Sequence, residues 1–350
     1  MFPNSLVDQV VDRFTSPGES LLDPFAGRAS SIFGGATKGR PSFGVEINPV
    51  GWIYGKTKLS VAPADQVLRR IHEIVAISGQ YPLEIEGDLC TFFQLCFSEC
   101  TLQFLLAARA QLDWKNSAVD RTLMTLILVD LHGIRHRSFS NQTRQSRAMN
   151  PDYSVRWWRT KQLAPPIRDP EAFLQKKVRW RFRHGVPQTV DSDVLLGDSC
   201  QLLSSLRHHT HAASALPFKL LFTSPPYMNI TDYYRDQWLR LWMLGDDPSA
   251  VRTREPHKGA FNSAAQYRDM LSTVFRQSAE MMSARGCVYV RTDARPTTFD
   301  ITWSVLRDAF PRWKAVVVDQ PAPDRTQTAL YGDTGPKPGE RDIILTGPLA

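Results

Sequence analysis

No stretch of the chain limits its fold as tightly as Ser20 to Ile47, where two apolar runs flank a glycine-bearing turn and a helix-compatible segment. Ser20-Leu-Leu-Asp23 reads as a short strand and Asp23-Pro-Phe-Ala-Gly27 as the turn after it. Ser30 to Lys38 follows as a helix closed by Gly39, and Ser42-Phe-Gly-Val-Glu-Ile47 as a second strand. Strand, helix and strand within about 30 residues form a βαβ unit. A short helix over Val7 to Phe14 and the turn Ser16-Pro-Gly precede it. The same rhythm returns after Pro187, with strands expected at Val194 to Gly197, Leu220 to Phe222, Cys287 to Arg291, Ala315 to Val318 and Ile343 to Leu345. Pro321 to Glu340, rich in glycine and proline, reads as a long loop before the last strand.

Between these two α/β parts the periodicity is helical. Asp65 to Ile77, Phe92 to Leu112 and Val119 to Ile134 carry apolar residues at helical spacing, with Asp88 available to cap the second. The expected architecture is therefore α/β, with one sheet domain assembled from residues 1–60 and 186–350 and interrupted by a helical insertion over 61–185. A chain of 350 residues, 42% of them hydrophobic, has ample material for such a core. No apolar run approaches the roughly 18 to 20 residues of a membrane span, and Met1-Phe-Pro-Asn-Ser-Leu-Val lacks the basic-then-apolar order of a signal peptide, so the expectation is a cytoplasmic protein with no membrane partner. The five cysteines form no C-x-x-C pair and read as small buried hydrophobes. His208-His-Thr-His211 reads as a loop, so no metal site is expected.

The charge is local. Residues 135–185 hold ten arginines and three lysines against three acids, a net of +10 in a chain whose total is +7, which leaves the remainder at −3. Trp157, Trp158 and Trp180 are interleaved with these cations. Arginine mixed with aromatic rings suits phosphate neutralisation combined with stacking or base-edge contacts. Arg144, Arg147, Arg156, Arg159, Arg179, Arg181 and Arg183 are the candidate nucleic-acid contacts. Trp157 and Trp158 are expected as core residues that pack the insertion onto the sheet.

Leu220-Leu-Phe-Thr-Ser-Pro-Pro-Tyr227 begins as a buried strand and stops on two prolines and a ring. Proline fixes φ, lacks an N–H and biases its predecessor toward extended backbone, so Ser224, Pro225 and Pro226 leave the strand in a preset geometry. At the other chemistry-bearing turn, Gly27 lets the backbone approach a ligand closely. Glu46 ends the next strand, where an acid can take both hydroxyls of a ribose.

Taken together, "LLDPFAG", "FGVEINP", "LLGDSCQLL" and "LFTSPPY" resemble the S-adenosylmethionine-dependent amino-methyltransferases that modify exocyclic nitrogens of DNA bases. The resemblance implies a Rossmann-like class I methyltransferase sheet of about seven strands, the last one antiparallel, with S-adenosyl-L-methionine as cofactor and double-stranded DNA as partner. It also admits a cognate restriction nuclease. By the same resemblance Phe2, in "FPNSL", touches the methionine end of the cofactor, Phe25 and Gly27 border it, and Asp23 lies near its amino group. Glu46 holds the ribose and Asp198 the adenine amine, while Pro24, Ala26 and Thr223 complete the cofactor set. Glu86-Gly-Asp88 competes with Asp198, which is preferred because its strand lies one short helix before Ser224. Arg28 and Ala29 stand where many relatives carry small residues and a second glycine, and the basic insertion precedes the "GDS" strand.

An exocyclic amine is a poor nucleophile because its lone pair is delocalised into the ring. Ser224 Oγ and the Pro225 carbonyl would pull the amine hydrogens out of plane, Pro226 would keep that geometry preset, and Tyr227 would stack on the flipped base. Serine at the first tetrad position implies cytosine N4, with adenine N6 as the alternative. An RNA base methyltransferase and an inactive cofactor- or DNA-binding module are the further readings. Asn229, Asp232 and Tyr233 are close enough in sequence to border the pocket, and Trp238, Leu241 and Trp242 read as core at helical spacing.

Overall fold

The computed structural model describes residues 2–83, 85, 89–142, 148–206, 216–228, 233–247, 263–320 and 339–348. Along the chain the elements run α1 (Asn4–Phe14), β1 (Leu21–Asp23), α2 (Ser30–Thr37), β2 (Ser42–Glu46) and α3 (Pro49–Leu59), then six helices. These are α4 (Ala64–Ser78), α5 (Cys90–Cys96), α6 (Glu99–Gln111), α7 (Ala118–Asp130), α8 (Pro151–Thr160) and α9 (Pro170–Phe182). After them come β3 (Asp193–Leu196), α10 (Ser199–Leu206), β4 (Phe218–Thr223), α11 (Tyr233–Met243), α12 (Ala264–Ala279), β5 (Met282–Asp293), α13 (Pro296–Ala309), β6 (Lys314–Gln320) and β7 (Glu340–Thr346). The chain divides into two compact units. One comprises Met1–Leu59, Gln188–Thr231 and Lys258–Ala350; the other comprises Ser60–Pro187 and Asp232–His257, a second piece that follows the tetrad in sequence.

The first unit holds a seven-stranded sheet in the order β3-β2-β1-β4-β5-β7-β6. β7 runs antiparallel to both its neighbours, and the other strands are parallel to one another. This is the Rossmann-like class I methyltransferase arrangement expected from the sequence. β1 and β2 are buried along their whole lengths, polar Asp23, Ser42 and Glu46 included, as strands covered on both faces must be. Strand order reverses between β1 and β4, and ligands of open α/β sheets bind outside the carboxyl ends of the strands at such a switch point. Gly44 on β2 sits so close to the Asp23 carbonyl that a Cβ there would collide with it, so the β1–β2 pair closes only around a glycine.

β5 is longer than expected, beginning at Met282 rather than Cys287, with a register shift against β4 between Phe218 and Leu220. Its first residues, Met-Ser-Ala-Arg-Gly, have no strand pattern. They are recruited by pairing, and Gly286 is required because a Cβ there would come within 3.0 Å of the Lys219 carbonyl.

In the second unit the single helix expected over Phe92 to Leu112 is two. The chain turns extended at Ser98, whose carbonyl accepts from Leu102 N–H at 2.8 Å as α6 starts. Apolar periodicity spans that break, and the helix-start signal of Ser98 and Glu99 outweighs it. α8 and α9 begin on side-chain caps, Asn150 to Tyr153 N–H at 3.1 Å and Asp169 to Glu171 N–H at 2.9 Å, each followed by proline at the first helical position. Phe92 and Phe93 centre an aromatic core, with ring centroids 5.4 Å (Trp158) and 5.0 Å (Trp238) from Phe92 and 4.5 Å (Trp242) from Phe93. Trp238, Leu241 and Trp242 are buried as expected. Trp158 is core, but Trp157 is 42% exposed and stacks on Tyr153, a correction to the expectation that both pack inward. Asp88, a proposed cap, lies outside the described residues. Among the described residues no single helix is long and apolar enough to cross a membrane.

Candidate active site

The turn after β1 is organised by its own carboxylate. Asp23 Oδ1 accepts from Phe25 N–H at 3.1 Å and from Thr223 Oγ1 at 2.6 Å, and Oδ2 accepts from Ser31 Oγ. Burial pushes the Asp23 carboxyl up to about 6, and the Ser31, Thr223 and Phe25 bonds pull against that rise. With three protein donors around it, this acid holds the turn in shape and ties the exit of β1 to the last residue of β4. Pro24 and Ala26 are buried and Phe25 is half-buried, edge-on to Phe275 with centroids 6.4 Å apart.

Gly27 has φ +55° and donates its N–H to Glu46 Oε2 at 2.6 Å. A Cβ built there would meet no atom within 4 Å, so the space above the turn is open. Glu46 Oε1 accepts from Asn48 N–H at 2.7 Å. Burial raises this carboxyl to about 7, the two N–H donors oppose the rise, and the Asp23 charge adds to it. Asn48 then accepts from Val50 N–H at 2.9 Å as α3 begins. Asn-Pro before a helix is a legible start signal, and it could have revealed Asn48 as part of the site.

The departures noted in the glycine loop have local solutions. Ala29 takes the left-handed conformation at φ +53°, fully buried, and its methyl fits because position 55 is glycine; a Cβ at Gly55 would lie 2.8 Å from it. Arg28 stacks over Tyr54, 5.0 Å from the ring centroid, and its carbonyl accepts from Lys58 Nζ at 2.6 Å. Burial, aided by the Arg28 charge, pushes the Lys58 amine down to about 8.

Asp198 follows β3, half-buried, with Oδ1 accepting from Cys200 N–H at 2.9 Å at the start of α10. Ser199 Oγ donates to the Pro24 carbonyl, and Gly197 N–H to the Glu46 carbonyl at 2.9 Å. The carboxyl ends of β1, β2 and β3 are thus stitched together, and Glu46, Gly27 and Asp198 are carried on the joined loops. The competitor Glu86-Gly-Asp88 lies outside the described residues. Phe2 is buried and stacks on Phe222 of β4, centroids 4.2 Å apart and 20° between planes.

The tetrad starts one residue past the Thr223–Asp23 bond. Ser224, Pro226 and Tyr227 are half-buried and Pro225 is buried. The Tyr227 hydroxyl donates to Glu340 Oε1 at 2.8 Å. No sequence signal flags Glu340, which reads only as the end of a loop and lies 113 residues away. Asn229 and Asp232, and the side chain of Tyr233, fall outside the described residues.

In the second unit, Arg156 and Arg159 are exposed on α8. Arg179, Arg181 and Arg183 are exposed at the end of α9, where Arg183 lies 4.8 Å and Arg181 5.9 Å from the centroid of Trp180, itself 56% exposed. Arg144 and Arg147 lie outside the described residues. Arg135 and Arg168, from the same basic run, are structural: Arg135 reaches the Ala164 carbonyl at 2.6 Å and Arg168 the Ser138 carbonyl at 2.6 Å. Among the described residues no cluster of His, Cys, Asp and Glu could hold a metal ion; Cys96 and Cys287 are buried, Cys90 and Cys200 half-buried, and Cys100 exposed. His208 to His211 lie outside the described residues.

No family model matches the chain. It is 24% identical over 294 residues to the Type II methyltransferase M.BsoBI of Geobacillus stearothermophilus, an alignment covering 72% of this chain and 52% of that protein. The chain therefore spans about half the length of that curated relative. Solved structures with distant similarity include the rRNA methyltransferase aviRa from Streptomyces viridochromogenes (TM-score 0.34, 9% identity, covering 99% of this chain and 85% of that one). Another is a putative SAM-dependent methyltransferase from Streptococcus mutans (TM-score 0.37, 10% identity, 99% and 50%). At these scores the structural likenesses carry no argument, and the strand order stands on its own.

Proposed function

We propose that this chain is an S-adenosylmethionine-dependent methyltransferase that modifies the exocyclic N4 of a flipped-out cytosine in DNA, with adenine N6 as the nearest alternative. The observation that carries the reading is the Thr223–Asp23 hydrogen bond, 2.6 Å long, which joins the open Gly27 turn to the strand that ends in Ser224-Pro-Pro-Tyr227. A ligand cradle and a rigid set of acceptors thereby meet at one switch point of the sheet. The M.BsoBI relative, a Type II methyltransferase by name, supports the reaction class.

The residues present fit the cofactor. The space over Gly27 is open, Glu46 is tied to the same turn with its carboxylate preset by two backbone N–H groups, and Asp198 offers a half-buried carboxylate at the end of the neighbouring strand. Glu46 would accept from a pair of ribose hydroxyls and Asp198 from the adenine amine. When bound, the cofactor supplies a methyl group on a sulfonium, a leaving group good enough that no protein nucleophile is needed. Ser224 Oγ and the Pro225 carbonyl accept from the two hydrogens of the target amine, which turns its lone pair out of the ring. The prolines hold those acceptors in place beforehand, so little reorganisation accompanies reaction. The exposed arginines of α8 and α9 supply phosphate contacts on duplex DNA, and a cognate restriction nuclease is the partner this reading brings with it.

The test is direct. Purified protein, plasmid DNA and S-adenosylmethionine are incubated, the DNA is digested to nucleosides, and these are resolved by mass spectrometry. N4-methylcytosine supports the reading, and N6-methyladenine keeps the mechanism but changes the base. Methylated nucleosides only from an RNA substrate would move the assignment to RNA. No transfer to either, with cofactor bound, would make the chain a binding module.

A further inference from the structure

The last residue of the tetrad is held from outside it. Tyr227 donates to Glu340, the first residue of β7, and Glu340 Oε2 lies 3.5 Å from Arg291 of β5. Arg291 faces Asp342 across the strand pair and grips it with two bonds, Nε to Oδ1 at 2.7 Å and Nη2 to Oδ2 at 2.8 Å. The Tyr289 hydroxyl at 2.6 Å and Gln320 Nε2 at 3.0 Å also donate to Asp342 Oδ2. Asp342 is 1% exposed. The reach depends on topology: β7 alone is antiparallel, so its first residue lies at the carboxyl end of the parallel strands, the edge where the tetrad sits.

A buried ion pair is a poor way to stabilise a sheet, because desolvation offsets most of the Coulomb gain and an apolar pair of similar volume serves as well. What an arginine locked by a bidentate carboxylate provides is a cation at one fixed place. That cation braces Glu340, and Glu340 in turn fixes the tyrosine oxygen. A ring held at its hydroxyl cannot swing away from the strand exit.

Building on the function proposed above, we propose that Glu340 is a positioning residue for the tetrad: its carboxylate, braced by the Arg291–Asp342 pair, sets the seat of the Tyr227 ring and with it the face offered to the target base. Burial, then the nearby Glu340 charge, holds the Tyr227 hydroxyl well above the ordinary tyrosine range, so it remains a donor to Glu340.

The experiment compares Glu340→Ala, Glu340→Gln, Tyr227→Phe and the Glu340→Ala/Tyr227→Phe double variant in the full chain. Glu340→Ala is expected to lower kcat about tenfold, the scale of one lost positioning hydrogen bond, with cofactor Kd within about twofold of the parent. Glu340→Gln, whose amide oxygen still accepts, is expected to keep kcat within about threefold. The double variant is expected to be no slower than the slower single one, because both remove the same bond. Unchanged kcat in Glu340→Ala, or single effects that multiply in the double variant, would overturn the proposal. A parent protein that methylates nothing would sink the proposed function instead. The positioning contact is then read by NMR of protein labelled at tyrosine Cζ, with Tyr227→Phe identifying the resonance. A Tyr227 signal that moves in Glu340→Ala sustains the contact, and one that does not move refutes it.

Discussion

Lowering the pH from about 8 to about 6 is expected to weaken cofactor binding about tenfold, through one carboxylate. Glu46 is buried with both oxygens against backbone N–H groups, and burial places its titration at about 7. Only the ionised form can accept from two ribose hydroxyls while keeping its bonds to Gly27 and Asn48. Its ionised fraction falls from about nine tenths at pH 8 to about one tenth at pH 6, and the apparent affinity for S-adenosylmethionine falls with it. Titration calorimetry at a series of pH values measures this directly. Asp23, pushed up to about 6, also protonates at the acid end, so the comparison needs Glu46→Gln, which should bind weakly and retain only the Asp23 component of the profile. The same shift acts on folding with the opposite sign. The folded state holds the Glu46 proton more tightly than the unfolded chain, whose carboxyl titrates at 4.5. Stability of the ligand-free protein therefore declines between 4.5 and about 7, by about 3 kcal/mol for this group, and levels off above that. Cofactor binding that is flat across this range in the parent protein would refute the assignment of Glu46 to the ribose.

Ser224→Ala should leave cofactor affinity within about twofold and lower turnover by at least about tenfold, as measured by methyl transfer under saturating cofactor; unchanged turnover would remove Ser224 from the chemistry. Gly51→Ala would place a Cβ 2.7 Å from the Gly27 carbonyl and 3.1 Å from Glu46 Cδ. Neither the backbone carbonyl nor the carboxylate can yield freely, so we expect a loss of about 1–3 kcal/mol in urea unfolding together with weaker cofactor binding, and full retention of both would contradict the tight packing of that turn. Replacing Arg179, Arg181 and Arg183 together by alanine should weaken DNA binding and flatten the plot of log affinity against log salt by about two to three, with little change in melting temperature because all three are exposed. An unaltered slope would return the end of α9 to ordinary solvated surface.

The first βαβ unit was legible because its determinants are local: apolar runs of strand length, a glycine where the turn needs positive φ, and Gly39 closing the helix, at φ +77°. The tetrad was legible for the same reason, since two prolines after a buried strand dictate their own backbone. Where neighbours in space rather than in sequence set the structure, local pattern fell short. The start of β5 is a strand only because β4 lies beside it, and the α5–α6 break at Ser98 is hidden by apolar spacing that runs across it. The sequence, read with its family resemblance, named Asp23, Glu46, Asp198 and Ser224. It said nothing of the Asp23 bond to Thr223, 200 residues away, or of Glu340 on Tyr227. Those contacts arise from strand order and the reversed direction of β7, and burial in that setting is also what shifts Asp23 and Glu46 toward neutral pH. Residue types fix what a site can do chemically; hydrogen-bond partners and dielectric surroundings exist only once distant strands are packed side by side.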